Sequence, residues 1–233
     1  MELSRRACIA SALAAGWSTR LSAGEPKVDN EMARSWRRRV AEFEAEAAAG
    51  SVPAGSIVFL GDSMTERFDL ARHFAAVVRR PPVNRGIGGD KVGGWRYWGV
   101  LDRLESTVVA LAPHQVVLSI GVNDLVFAHT PLDNLLPSTE RLLVRLASAV
   151  PHLLVQTVLP VRAGLARYNG AIRDFNRALI EMSLRLRLPL LDAAPVFADL
   201  AGELAIDCAV DAVHLNAEGY RRWAARILPL LRD

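Results

Sequence analysis

Four short segments of this 233-residue chain carry the residue types that could do chemistry. The first is Gly61-Asp62-Ser63-Met64-Thr65. A serine between a strand end and a helix start can turn its hydroxyl into a cleft and offer its own N–H to developing negative charge. Ser and Asp are also ordinary helix N-caps, and Thr65 stands where the nucleophile elbow Gly-x-Ser-x-Gly needs glycine. The second segment, Asn84-Arg85-Gly86-Ile87-Gly88-Gly89-Asp90, has glycines that let backbone N–H groups approach a ligand. Lys91 occupies the third glycine position of a dinucleotide fingerprint, so that motif fails. The third, Gly121-Val122-Asn123-Asp124, offers a side-chain amide donor, in residue types equally at home in plain turns. The fourth, Asp211-Ala212-Val213-His214, sets a carboxylate one turn before a histidine, able to hold one ring nitrogen while the other faces a cleft. Of the 5 histidines only His214 has a carboxylate at that spacing. An imidazole of ordinary pKa, about 6.5, suits a general base at neutral pH.

Such residues act together only if one scaffold brings their loops to one edge. Met32, Trp36, Val40, Phe43 and Ala47 recur at helical spacing, which predicts a helix from Glu31 to Ala49 ended by Gly50. Ser56 to Leu60 reads as a buried strand. Similar runs lie at Val83 to Arg85, Gln115 to Ile120, His152 to Val158 and Leu188 to Asp192. Between them fall helical patterns at Arg67 to Val78, Trp95 to Leu111, Leu132 to Ala149 and Ala166 to Leu186, and a last one from Ala217 to Leu231. Strands alternating with helices imply parallel β-α-β units with helices on both faces, a three-layer α/β/α, flavodoxin-like sheet of about five strands. In such open sheets ligands sit beyond the carboxyl ends of the strands. Three of the four segments directly follow predicted strands, and the fourth enters the last helix.

Composition narrows the function. With 51% hydrophobic and 23% charged residues the chain can bury a full core. A net charge of +3, with no basic run beyond Arg37-Arg38-Arg39, argues against nucleic acid as partner. No apolar stretch reaches the ~18–20 residues that span a bilayer. Two cysteines, Cys8 and Cys208, exclude a disulfide scaffold and a Cys-rich zinc site, and no His-Glu-x-x-His spacing is present, so neither metal nor cofactor is expected. Residues 1–23 read as an export signal: Arg5-Arg6, an apolar run from Ala7 to Trp17, then small residues at Leu21-Ser22-Ala23. Arg20 and the Ala/Ser-rich run fit an amphipathic tail of a cytoplasmic protein as well. The expectation is an exported protein whose residues 24–233 form one domain.

Taken in order, the four segments resemble the blocks of the SGNH hydrolases, the GDSL-type esterase superfamily, over Ile57 to Tyr220. Gly86-Ile87-Gly88-Gly89-Asp90 is similar to the platelet-activating-factor acetylhydrolase-like branch. Met64 replaces the leucine of the GDSL name, a swap that keeps volume. The resemblance implies Ser63 as nucleophile, His214 as base and Asp211 as its orienter, with Ser63, Gly89 and Asn123 forming the oxyanion hole. It implies a small-molecule ester substrate, an acylated carbohydrate or lipid, with short acyl groups, chiefly acetyl. The alternatives are a lysophospholipase or thioesterase taking longer chains, and a non-catalytic flavodoxin-like binding module. Arg85 and Trp95, close in sequence to the glycine loop, are candidate substrate contacts, though a plain helix face explains them equally well.

Overall fold

The computed structural model describes residues 31–232. Residues 1–23, read above as an export signal, lie outside them. Five strands, β1 (Ile57–Gly61), β2 (Pro82–Gly86), β3 (Gln115–Ser119), β4 (His152–Gln156) and β5 (Leu190–Leu191), form one parallel sheet in the order β2-β1-β3-β4-β5. The central strands are near-continuous apolar runs because both faces are covered. Val58, Leu60, Val116, Leu118, Leu153 and Val155 face one core. Ile57, Phe59, Val117 and Leu154, the alternate residues, face the other.

The first face is covered by α4 (Val100–Thr107), α6 (Leu132–Ala149) and α7 (Asn169–Arg185), through residues such as Leu104, Leu142 and Phe175. The second is covered by α3 (Leu70–Phe74), α8 (Ala194–Phe197) and α9 (Ala217–Ile227), through Phe74, Phe197 and Trp223. Helix α1 (Glu31–Ala48) lies outside α4 and puts Trp36, Val40 and Phe43 against Ile87, just beyond β2. Two short helices start directly at strand ends, α2 (Ser63–Glu66) after β1 and α5 (Val122–Val126) after β3. Neither stretch falls within a helical pattern of the sequence.

Boundaries differ from the sequence expectation where side chains cap the backbone. The helix expected from Arg67 is shortened to α3, because the Asp69 carboxylate accepts from the Arg72 N–H at 3.0 Å. The helix expected from Trp95 begins at Val100: Gly93 and Gly94 take φ of +82° and +74°, and the Gly99 N–H donates to Asp102. The helix expected from Ala166 begins at Asn169, whose side chain both accepts from and donates to the Val161 backbone.

Strand order reverses between β1 and β3, which opens a crevice at their carboxyl ends. Close packing there dictates glycine. A Cβ on Gly61 would lie 2.2 Å from the Ser119 carbonyl oxygen, and one on Gly86 would lie 2.2 Å from the Glu66 nitrogen. Across that edge, α9 is tied to the loop after β1: Phe68 stacks on Trp223 at 4.8 Å, and the Tyr220 hydroxyl donates to the Met64 carbonyl at 2.9 Å.

Candidate active site

The loop after β1 is set by Asp62. It is buried and extended, and its Oδ1 accepts from the Met64 N–H at 2.9 Å, capping α2 so that Ser63 is the first helical residue. The N–H groups of a first turn have no partner within the helix. Ser63 is therefore placed with both its hydroxyl and its N–H at the sheet edge.

The Ser63 Oγ lies 2.9 Å from His214 Nε2, joining residues 151 apart in the chain. His214 Nδ1 lies 2.7 Å from Asp211 Oδ2. Asp211 Oδ1 also accepts from the backbone N–H groups of Val213 and His214, at 2.8 and 2.7 Å. Partial burial would raise this carboxyl, but those backbone bonds and the His214 ring outweigh it and bring it down to about 2. Asp211 is therefore ionised at neutral pH and holds the Nδ1–H tautomer. That leaves the Nε2 lone pair to accept the Ser63 hydroxyl proton.

The glycine segment after β2 lies alongside. Asn84 Nδ2 donates to the Thr65 carbonyl at 2.7 Å while its Oδ1 accepts from the Gly86 N–H at 2.8 Å, tying this loop to α2. A Cβ on Gly88 would lie 4.0 Å from the Ser63 Cβ, so a bare backbone passes beside the serine. Gly89 follows with φ +75°, a conformation side chains rarely adopt. From the loop after β3, Asn123 Nδ2 donates to the Asp90 carbonyl at 2.9 Å. An amide nitrogen carries two hydrogens, so one N–H remains for a ligand.

Asp62, Asp90 and Asp124 all hold loops: each accepts a backbone N–H, from Met64, Lys91 and Val92 respectively. Burial is the largest influence on all three and raises them, taking Asp62 and Asp124 to about 7. Their mutual repulsion adds to the rise in Asp62. Arg103 and Trp36 oppose it in Asp90.

The structure brings Ser63, Gly89, Asn123, Asp211 and His214 to one edge, and leaves the two candidate substrate contacts elsewhere. Arg85 pairs in register with Leu60 and shares its face, pointing under α1 instead of into the crevice. It is buried, with Nε donating to the Thr107 carbonyl at 3.1 Å, Nη2 2.9 Å from Glu46, and the guanidinium over the Phe43 ring. Trp95 lines a shallow hollow with Gly93, Tyr97, Asp124 and Asn134, whose walls include neither Ser63 nor His214. A larger cavity of about 180 Å³ opens beside Gly88 and Gly89, walled by Met32, Trp36, Lys91, Tyr97, Trp98 and Phe127. Sequence reasoning missed it, because Met32 and Trp36 read as the core face of a helix far away in the chain. Among the described residues no cluster of His, Cys, Asp and Glu could hold a metal ion, and no helix is long and apolar enough to cross a membrane.

A family profile described as the GDSL-like Lipase/Acylhydrolase family matches residues 59–222. No curated protein sequence matches the chain. Solved structures share the fold. A Streptococcus pneumonia protein whose name refers to platelet activating factor superposes with a TM-score of 0.75 at 23% identity, covering 85% of this chain and 94% of its own. A GDSL-like lipase from Bacteroides thetaiotaomicron VPI-5482 gives 0.71 at 21% identity, with 82% and 96% covered. Axe2, an acetylxylan esterase from Geobacillus stearothermophilus, gives 0.61 at 18% identity, with 76% and 94% covered.

The buried Asp62 carboxyl predicts a pH dependence of stability. It titrates at about 7 in the folded chain against an ordinary 3.8, so folding takes up a proton between those values and stability falls as pH rises through that window. Asp62→Asn keeps an acceptor for the Met64 N–H and removes the charge. Its Tm gain over the wild type should be near zero at pH 4 and should grow up to pH 8. Thermal unfolding followed by circular dichroism across that range is the check. A gain of equal size at every pH would contradict the buried-charge explanation.

Proposed function

The chain belongs to the GDSL-like lipase/acylhydrolase family and is a carboxylic ester hydrolase, and from that premise we propose that it cleaves short acyl esters of polar alcohols through an acyl-enzyme on Ser63. The carrying observation is the hydrogen-bonded chain Ser63–His214–Asp211. His214 Nε2 takes the hydroxyl proton as Ser63 Oγ adds to the ester carbonyl. The tetrahedral oxyanion is met by the N–H groups of Ser63 and Gly89 and by the Asn123 amide. Its collapse breaks the bond to the alcohol oxygen, which leaves with the proton held by His214. Water then adds to the acyl carbonyl as its proton passes to the same imidazole, and collapse breaks the bond to Ser63 Oγ, which takes that proton back as the acid leaves. Every group needed is supplied by the chain itself. The binding-module alternative gives way to family membership.

Support for a short acyl group comes from the neighbours of the site residues. Met64, Val122 and Val213, each adjacent in sequence to Ser63, Asn123 or His214, line a small hollow of about 20 Å³, a size that suits a methyl group, although Ser63, Asn123 and His214 are not themselves in its wall. The larger aromatic-walled cavity at Gly88–Gly89 then suits the alcohol, with Lys91 at its rim. Acetylxylan esterases among the solved structures of this fold make an acetylated sugar the leading substrate class. The same cavity favours a second reading. Met32 and Phe127 are exposed apolar side chains in its wall, and an acyl chain lying there would make the enzyme a lysophospholipase or thioesterase. Residues 24–233 are read as the hydrolase domain, and residues 1–23, with Arg5-Arg6 and the following apolar run, as an export signal.

Three outcomes are expected. Ser63→Ala, folded, should retain only the ~10³–10⁴-fold acceleration that an oxyanion hole and binding supply. Near-normal turnover would remove Ser63 from the mechanism. Across p-nitrophenyl esters from acetate to decanoate, kcat/KM should fall beyond butyrate, because a methylene contributes about 0.8 kcal/mol only when it is buried. A tenfold rise toward decanoate would instead establish the long-chain reading. N-terminal sequencing of the active protein from its host should begin near Gly24, and an intact residue 1 would refute export by cleavage.

A further inference from the structure

Asn123 is useful as an oxyanion donor only if its amide is aimed, and the group that aims it is the Asp90 main chain. One Asn123 N–H is spent on the Asp90 carbonyl at 2.9 Å, which fixes the amide plane and so the direction of the other N–H. Asp90 in turn is gripped from three sides. Trp36 Nε1 donates to Oδ1 at 2.9 Å, the Lys91 N–H donates to the same oxygen at 3.0 Å, and Arg103 reaches Oδ2 through Nε at 2.9 Å and Nη2 at 2.8 Å. Both charged side chains of this pair are fully shielded from solvent. Gly89, the other backbone donor of the hole, is the residue directly before Asp90.

We propose that Trp36 and Arg103 are positioning residues for the oxyanion hole, acting through Asp90 on Asn123 and Gly89, so that helix α1 is a working part of the enzyme. The inference rests on the reading of Asn123 as an oxyanion donor. Trp36 is not in the family-matched residues 59–222, so this chain supplies the support from a segment that the family pattern does not include. The chemistry explains each member. An unneutralised Asp90 carboxylate beside the hole would repel the oxyanion, and Arg103 cancels that charge. Arg103 holds only Oδ2, and the other oxygen is left to Trp36 Nε1 and the Lys91 N–H. Of those two donors Trp36 is the one from outside the loop, so it fixes the carboxylate, and the loop with it, relative to α1.

The test is a double-mutant cycle in the full chain. Trp36→Phe removes the N–H and keeps an aromatic ring to pack near Trp98. It should lower kcat by roughly 10- to 100-fold, as expected for a misaimed transition-state contact, while the altered cavity wall would show separately as a change in KM. Asn123→Ala alone should lower kcat by roughly 10²–10³-fold. Adding Trp36→Phe to Asn123→Ala should then cost clearly less than it does in the wild type, because one of the two groups being aimed is gone. Arg103→Lys, which keeps the neutralising charge but gives up the two-pronged grip on Oδ2, should reproduce the kcat-selective loss if Trp36→Phe folds poorly. Wild-type kcat in a folded Trp36→Phe protein, or losses that multiply fully in the double mutant, would overturn the inference. A silent Asn123→Ala would overturn the oxyanion reading itself, which separates the two failures.

Discussion

The site is organised around one buried ion pair, Arg103 with Asp90. The Arg103 guanidinium also donates to the Arg85 carbonyl at 2.8 Å, at the end of β2, and reaches the Gly61 carbonyl, at the end of β1, at 3.4 Å. One side chain from α4 thus joins the carboxyl ends of two strands to the loop carrying Gly89. Burying two charges is costly, and such a pair adds little net stability over an apolar substitute. Breaking it is a different matter, since a lone buried charge costs about 3–5 kcal/mol. The pair therefore acts less as an adhesive than as a geometric lock, with fixed donor directions at a place where apolar side chains would allow several packings.

Around that lock the carboxyls divide by environment. Asp62, Asp90 and Asp124 sit under the crevice, where burial drives them upward and backbone N–H groups hold them in place. Asp211 sits at the rim, where backbone N–H groups and the imidazole keep it low. At about 2, Asp211 is firmly negative at neutral pH, and it lies behind the imidazole, where a negative charge stabilises the imidazolium formed during attack. Near the nucleophile Asp62 and Asp124, raised to about 7, bring less negative charge to bear on the developing oxyanion, and Asp90 has its charge paired with Arg103. The same residue type thus serves as orienter in one loop and as loop brace in three others.

Much of the site was legible because each part is local. Asp211 and His214 are one turn apart, Gly61-Asp62-Ser63 marks a strand end meeting a helix cap, and the apolar runs of β1, β3 and β4 announce a sheet covered on both faces. Arg85 shows the limit of such reading. Its place next to the glycine loop was plain, but a strand alternates its side chains, and the face Arg85 took was settled by register with Leu60. Trp36 shows another. Its helical spacing pointed to a core, and it is indeed nearly buried, yet its indole N–H is bonded to an aspartate 54 residues away.

The alternating α/β order, the residue types of each loop, and the edge of the sheet at which those loops meet are all carried by the pattern of the chain. These follow from short-range physics: apolar period, caps, and the carboxyl-end rule of parallel sheets. That α1 closes over the glycine loop, that a cavity of about 180 Å³ opens there, and that Arg85 faces away from it were fixed by packing in three dimensions. Those outcomes depend on how helices pack on a twisted sheet. That packing is fixed by the summed fit of many side chains from distant segments, and it leaves no mark in the spacing of any one of them.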